Sequence, residues 1–234
     1  MQRITDSGIR YSLREWLNGA SAVFEKDVRL ELRSRYAINM LLMFVAATLF
    51  LIVVSIGNAE IQEQVQAALV WMVQVFASVI GLGRGFVSEV EQGTVLMLQL
   101  HTRAGMVYAG KLLFNFILLL LVNGLALLAF LFLMNANGNA AQLATLLVLG
   151  ALGLSGTTTL LAAIIARTNQ RGPLLAVLAF PMLIPLLLAV VKATKSTLAG
   201  APWSFIQSEV MTLIAFAGAV ITASVLLFDF VWNE

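Results

Sequence analysis

The chain has 234 residues, of which 60% are hydrophobic and 11% charged, with a net charge of +2 and a mean hydropathy of +0.94. No ordinary soluble domain of this length has that composition, so the bilayer is the expected solvent. A span takes about 20 apolar residues to cross roughly 30 Å of hydrocarbon, so six spans leave only short connections and no room for a soluble catalytic domain. Cysteine is absent, which excludes thiol redox chemistry, cysteine-ligated metal and covalent thioether attachment of heme, and is neutral on compartment.

Residues 1–36 read as a cytoplasmic N-terminal region and residues 37–234 as a six-span transmembrane domain. The first apolar run follows a long charged segment with no small-residue cleavage site behind it, so no removable signal peptide is expected. Within the N-terminal region, Ser21–Arg35 is predicted to form an interfacial helix, with Phe24, Val28 and Leu32 on one stripe and Glu25/Arg29 and Glu31/Arg35 paired four residues apart. Asn18-Gly19 interrupts the helical pattern, so Ile9–Leu17 is expected to form a separate short helix.

Apolar runs then place spans near Ala37–Gly57, Val65–Gly83, Leu112–Met134, Gln142–Ala166, Pro173–Val191 and Val210–Val231. The fifth carries Pro181 and Pro185, which predict a kink or break. Positive charge sets the orientation: Arg3, Arg10, Arg14, Lys26, Arg29, Arg33 and Arg35 precede the first span, Arg84, Arg103 and Lys111 separate the second and third, and Arg167 and Arg171 separate the fourth and fifth. The opposite side has only Lys192 and Lys195. Both termini are therefore expected in the cytoplasm. The basic balance suits anionic headgroups and calls for no nucleic acid.

Gly105-Met-Val-Tyr-Ala-Gly110-Lys111 spells most of a phosphate-binding loop, but Leu112 stands where Ser or Thr must reach magnesium. The run leads into a membrane span instead of following a buried strand, so ATP binding is not expected in this chain. No Asp, Glu, Lys or Arg falls deep inside a predicted span, which argues against ion-coupled transport. No span carries a Ser/His, paired-Asp or His/Glu metal arrangement for intramembrane catalysis. His101 is the sole histidine and offers no bis-histidine heme site.

The second basic-side loop runs Arg84-Gly-Phe-Val-Ser-Glu89-Val-Glu91-Gln-Gly93-Thr94-Val-Leu-Met-Leu98-Gln-Leu100, with carboxylates before a Gly-Thr helix start and then a dense apolar surface. Such a surface needs cover, either lipid or a partner. Small and hydroxylated residues, Ser155, Gly156, Thr157, Thr158 and Thr159, fall at membrane depth in the fourth span, and Asn115 and Asn123 in the third. These suit close helix packing or the lining of a transport path.

The acidic Gly-Thr run with Lys111 opening the next span resembles the coupling region of ABC-2 type exporter permeases. Phe24-Glu-Lys-Asp27-Val-Arg-Leu-Glu31-Leu-Arg33, the Arg84–Leu100 loop, and Leu154–Leu160 through Arg167, Arg171-Gly172, Pro181 and Pro185 resemble the heme exporter B family, CcmB, of the cytochrome c maturation system. The resemblance runs from about Val23 to Trp232, and Gly83 and Gly85 depart from the bulkier or charged neighbours expected around Arg84.

It implies an all-α permease with a cytoplasmic coupling helix between spans two and three, in a bacterial inner membrane. It also implies a permease dimer over a separate CcmA-like ATPase, which holds the ATP, with CcmC-like, CcmD-like and CcmE-like partners and heme as cargo rather than as a stably bound cofactor. Arg84, Glu89, Glu91, Gly93, Thr94 and Leu98 become candidates for ATPase coupling, and Asn115, Asn123, Ser155, Thr157, Thr158, Thr159, Pro181 and Pro185 for the path or for helix packing. Export of a lipid, polysaccharide or drug by the same fold, or a non-transporting assembly scaffold, stays open at this level. Glu91→Lys is expected to insert normally but to uncouple the ATPase; unchanged ATPase binding and unchanged cytochrome c maturation in that variant would count against the coupling role.

Overall fold

The computed structural model describes residues 13–57, 59–82, Phe86, Glu89, Gly93, Thr94, Leu98, Leu100, 102–166 and 171–233. Among these, seven α-helices and a short 3-10 turn make an all-α bundle: α1 Leu13–Ser34, α2 Tyr36–Ile56, α3 Glu63–Leu82, α4 Ala104–Leu133, α5 Ala140–Ala166, α6 Arg171–Leu198, the turn Trp203–Phe205, and α7 Gln207–Asn233. Helices α2 to α7 each contain a stretch long and apolar enough to cross a bilayer.

The N-terminal region differs from expectation in three ways. Helix α1 runs unbroken through Asn18-Gly19, because Gly19 is used for contact: a Cβ there would meet Met106 Sδ at 2.5 Å. The buried stripe is Val23 and Asp27, whereas Leu32 is exposed. Gly110 explains this rotation, since its missing Cβ would lie 2.6 Å from the Ala20 carbonyl oxygen and 2.8 Å from Val23 Cβ. Glycine thus lets the backbone of α1 approach α4, the same device that draws membrane helices together. Finally, the Glu25–Arg29 ion pair forms, but Glu31 turns forward instead, accepting a hydrogen bond from the amide of Ile38 at 2.9 Å. Arg35, with φ 52° and ψ 23°, is the single residue between α1 and α2.

Helix α4 begins about two turns before the predicted Leu112, so the look-alike of a phosphate loop is helical from Ala104 onward. Lys111 accordingly sits inside a spanning helix instead of opening it. Helix α6 likewise extends past the predicted Val191 to Leu198, which brings Lys192 inside it. It is continuous through Pro181 and Pro185, so no break occurs there. Both prolines lie four residues apart on the exposed side, while Leu183 and Leu186 are buried, so packing holds the helix across the lost backbone bonds.

Helix α5 is the axis, touching α3, α4, α6 and α7. Its glycines set these distances: a Cβ on Gly150 would enter the Trp71 ring at 2.2 Å, and one on Gly153 would meet Leu186 Cδ1 at 2.1 Å. The end of the bundle away from Lys111 is closed by polar contacts. Asn139 Oδ1 caps α5 by accepting from the amides of Ala141 at 3.0 Å and Gln142 at 3.2 Å. Gln142 Nε2 donates to the Ala201 carbonyl at 3.2 Å, and Lys192 of α6 pairs with Glu209 of α7 at 2.5 Å.

Gly110→Leu is expected to displace α1 from α4. Overpacking of this kind costs about 1–3 kcal/mol, so the detergent-solubilised protein should melt several degrees lower and be cleaved faster within α1; an unchanged melting temperature and protease pattern would show that the close approach is unimportant.

Candidate functional site

Where α1, the segment between α3 and α4, and α4 itself meet, four ionisable side chains among the described residues form one cluster. Lys111 is 3% exposed, and its Nζ lies 3.1 Å from Asp27 Oδ2 and 3.1 Å from Glu89 Oε1. Lys26 approaches from the rim, bonding Glu89 Oε1 and lying 3.3 Å from Asp27 Oδ1. Among the described residues, two ammonium groups thus share two carboxylates, whose charges balance. A buried ion held this way avoids the several kcal/mol that an unpaired one would cost.

Glu89 is held from its own segment as well. Gly93, with φ 68°, turns the chain back, so that the Thr94 amide donates to the Glu89 carbonyl at 3.0 Å and the Thr94 hydroxyl donates to the Glu89 carboxylate. This is the physical content of the Gly-Thr pair: the left-handed turn suits glycine, and the hydroxyl satisfies a carboxylate oxygen that the lysines leave open. Beyond it, the Leu98 amide bonds the Thr94 carbonyl at 3.1 Å and the Thr102 amide bonds that of Leu98 at 2.9 Å, both with helical separation.

An aromatic wall backs the cluster. The Lys111 ammonium lies 5.1 Å from the centroid of the Phe86 ring, within cation–π range. Phe86 packs on Phe228 at 5.6 Å, and Phe228 stacks on Trp232 at 5.5 Å and meets Tyr108 at 5.3 Å. The loop is therefore tied to the end of α7 as well as to α1 and α4.

Burial pushes the Glu89 carboxyl up, but the Lys111 charge, the Lys26 bond and the Thr94 hydroxyl outweigh it and hold the group at about 2. Burial pulls Lys26 down, and the carboxylates of Asp27 and Glu89 outweigh that and raise it above its ordinary 10.5.

The other sequence candidates form a second, less polar group. Asn115 Nδ2 donates to Thr159 Oγ1 at 2.8 Å between α4 and α5. Ser155 donates to the Leu152 carbonyl at 3.0 Å and Thr158 to that of Leu154 at 2.7 Å, both within α5. Asn123 and Thr157 are buried with side-chain polar atoms that find no hydrogen-bond partner among the described residues. Pro181 and Pro185 face outward on α6. Arg84, Glu91 and His101 lie outside the described residues.

The sequence marked Lys26 and Lys111 by their charge for topology, and Asp27, Phe86 and Lys111 as parts of family-resembling segments, but did not single out Lys26, Asp27 or Phe86 as site residues or bring the four together. A signal was present. Asp27 lies four residues from Val23 on the face that packs on α4, and Lys111 stands in an apolar helical run, where an ionisable group needs a partner.

The stabilising ion pairs have a defined pH range. Glu89 is depressed from 4.5, so its contribution is complete above about pH 4.5 and is lost as pH falls through about 2. Lys26 is raised, so its contribution is complete below 10.5 and is lost at higher pH. The unfolding temperature of the solubilised protein is expected to be flat near neutrality and to fall below about pH 4.5, with Glu89→Gln flattening that acid limb; an acid limb of equal depth in the variant would remove Glu89 from the account.

No curated protein matches the chain. Its residues 18–233 match the family described as CcmB protein, a span that takes in all six long apolar helices, the acidic Gly-Thr run and the three segments that form the charge cluster. The chain therefore belongs to the CcmB family, the multi-span permease subunits of the heme exporter of cytochrome c maturation, whose ATPase resides in the separate subunit CcmA.

Proposed function

We propose that CcmA drives this permease through the Glu89–Leu100 region, and that the Lys111 cluster carries the resulting movement into α1 and α4. The observation behind this reading is the buried ammonium of a spanning helix held by carboxylates from two other segments, Asp27 of α1 and Glu89 of the loop. A push on the loop cannot leave the helix behind without separating buried opposite charges. Two packed arrangements of the bundle, exchanged by ATPase closure, are the expected response. Arg84 and Glu91 join Glu89, Gly93, Thr94 and Leu98 as coupling residues in this reading.

The wider setting follows from the family and from charge placement. The basic end, with the cluster and both termini, faces the cytoplasm of a bacterial inner membrane, and α1 lies along that interface. Two copies of the chain sit over two CcmA subunits, in contact with CcmC-like and CcmD-like proteins and a CcmE-like heme carrier. Heme enters as cargo, or the loaded carrier is released by the ATPase cycle; the single histidine favours release.

Lys111→Met and Glu89→Gln, singly and together, test the transmission step. Each single variant leaves the cluster one charge out of balance, which destabilises it, whereas the double variant leaves Lys26 paired with Asp27 and the balance restored. It is therefore expected to recover stability and membrane level but not cytochrome c maturation, while CcmA still co-purifies. A double variant that matures cytochrome c normally would overturn the role of the cluster in coupling.

A further inference from the structure

Most polar side chains inside the bundle are paired. Trp71 Nε1 donates to Thr194 Oγ1 at 2.8 Å, and Asn115 donates to Thr159 at 2.8 Å. Gln74, Asn123 and Thr157 are the exception at mid-bundle. Gln74 is 1% exposed and Asn123 and Thr157 are 0% exposed. Neither amide atom of Gln74 or Asn123, nor the Thr157 hydroxyl, has a hydrogen-bond partner among the described residues.

These three residues belong to α3, α4 and α5, which all touch one another. Two contacts fix their depths. Trp71 against Gly150 aligns α3 with α5, and α3 runs in the same direction, so Gln74 lies near the level of Gly153. The Asn115–Thr159 bond aligns the antiparallel α4, so Asn123 lies near the level of Ala151. With a rise of about 1.5 Å per residue, all three fall within roughly 9 Å of depth, around the middle of α5.

A buried amide without a partner costs about 1–3 kcal/mol, whereas an apolar side chain of similar shape would be neutral or better. Hydrocarbon offers these groups nothing. Tyr108 Oη and Gln142 Oε1 also lack a partner among the described residues, but toward the two ends of the bundle; Gln74, Asn123 and Thr157 are the three that fall in its middle layer.

We propose that Gln74, Asn123 and Thr157 form a polar site at the centre of the bundle that takes up water when the permease changes arrangement, giving the membrane domain a hydrated station at mid-depth. The site extends the reading of a moving permease without depending on how CcmA is coupled to it. It also assigns Gln74, which no motif singles out.

The absence of native cysteine gives a test with no background. Gln74→Cys, Asn123→Cys and Thr157→Cys, with Leu119→Cys and Leu154→Cys as fully buried apolar controls, are treated with a small charged methanethiosulfonate in membranes containing CcmA, with and without ATP. Because a thiol reacts as its thiolate and an apolar pocket suppresses that form, the three polar positions should label at least about ten-fold faster than the controls in at least one nucleotide state. Faster labelling that depends on ATP supports both the site and the coupling reading; faster labelling independent of ATP supports the site and counts against coupling. Labelling no faster than the controls in either state overturns the site. As a second readout that keeps the native fold, Thr157→Val and Asn123→Leu are expected to raise the melting temperature while lowering cytochrome c maturation; a raised melting temperature with full maturation would show unsatisfied packing and nothing more.

Discussion

A single buried ammonium organises the basic end of this protein. Lys111 is enclosed by protein on a helix that spans the bilayer, and an ion in that position is tolerated only with counter-charges at contact distance. The counter-charges come from different parts of the chain, Asp27 on α1 and Glu89 on the α3–α4 loop. Meeting the needs of one side chain therefore ties together two segments that also pack apolar residues, Val23 and Phe86, against the bundle. The neighbouring Gly110 supplies the steric half of the same joint, because α1 comes near enough for Asp27 to reach Lys111 only where α4 has no Cβ in the way. Two adjacent residues that resemble the end of a nucleotide motif thus serve helix contact and charge pairing.

The interior is built differently. Helix α5 carries small residues on nearly every side and receives the large side chains of its neighbours, Trp71, Leu186 and Phe216 among them. Without a hydrophobic drive between helices in lipid, this close contact and the occasional hydrogen bond are what hold the spans together. Hydroxyls that bond within α5 are inexpensive there, whereas the unpaired amides of Gln74 and Asn123 are a cost that packing elsewhere must offset. Stability and the capacity to rearrange pull against each other in the same layer.

The spans were legible in the sequence because length and apolarity are direct consequences of the bilayer, and the residues of the acidic Gly-Thr run and its flanking segments carried the family. The start of α4 was not legible from hydropathy, since Arg103 and Lys111 mark a loop by charge alone while helix geometry carries Lys111 inward. The face of α1 was misread for a related reason. Phe24, Val28 and Leu32 make the more apolar stripe, but the helix is turned by the glycine contact and the ion pairs, which favour Val23 and Asp27. The partners of Glu89 lie 63 and 22 positions away, a separation that no local pattern encodes.

The joint at Arg35 gives this anchoring a geometric consequence. Helix α1 passes into α2 through one left-handed residue, and the Glu31 carboxylate reaches over that joint to the amide of Ile38. The two helices therefore behave as the arms of a bent lever with its fulcrum at Arg35. Helix α2 has 21 residues; it buries Leu41, Val45 and Leu49 and packs Ala37, Ile38, Phe44 and Ile52 partly against the core. At about 1.5 Å per residue its arm is roughly 30 Å long, and a tilt of about 5° at the fulcrum carries its far tip nearly 3 Å through the lipid.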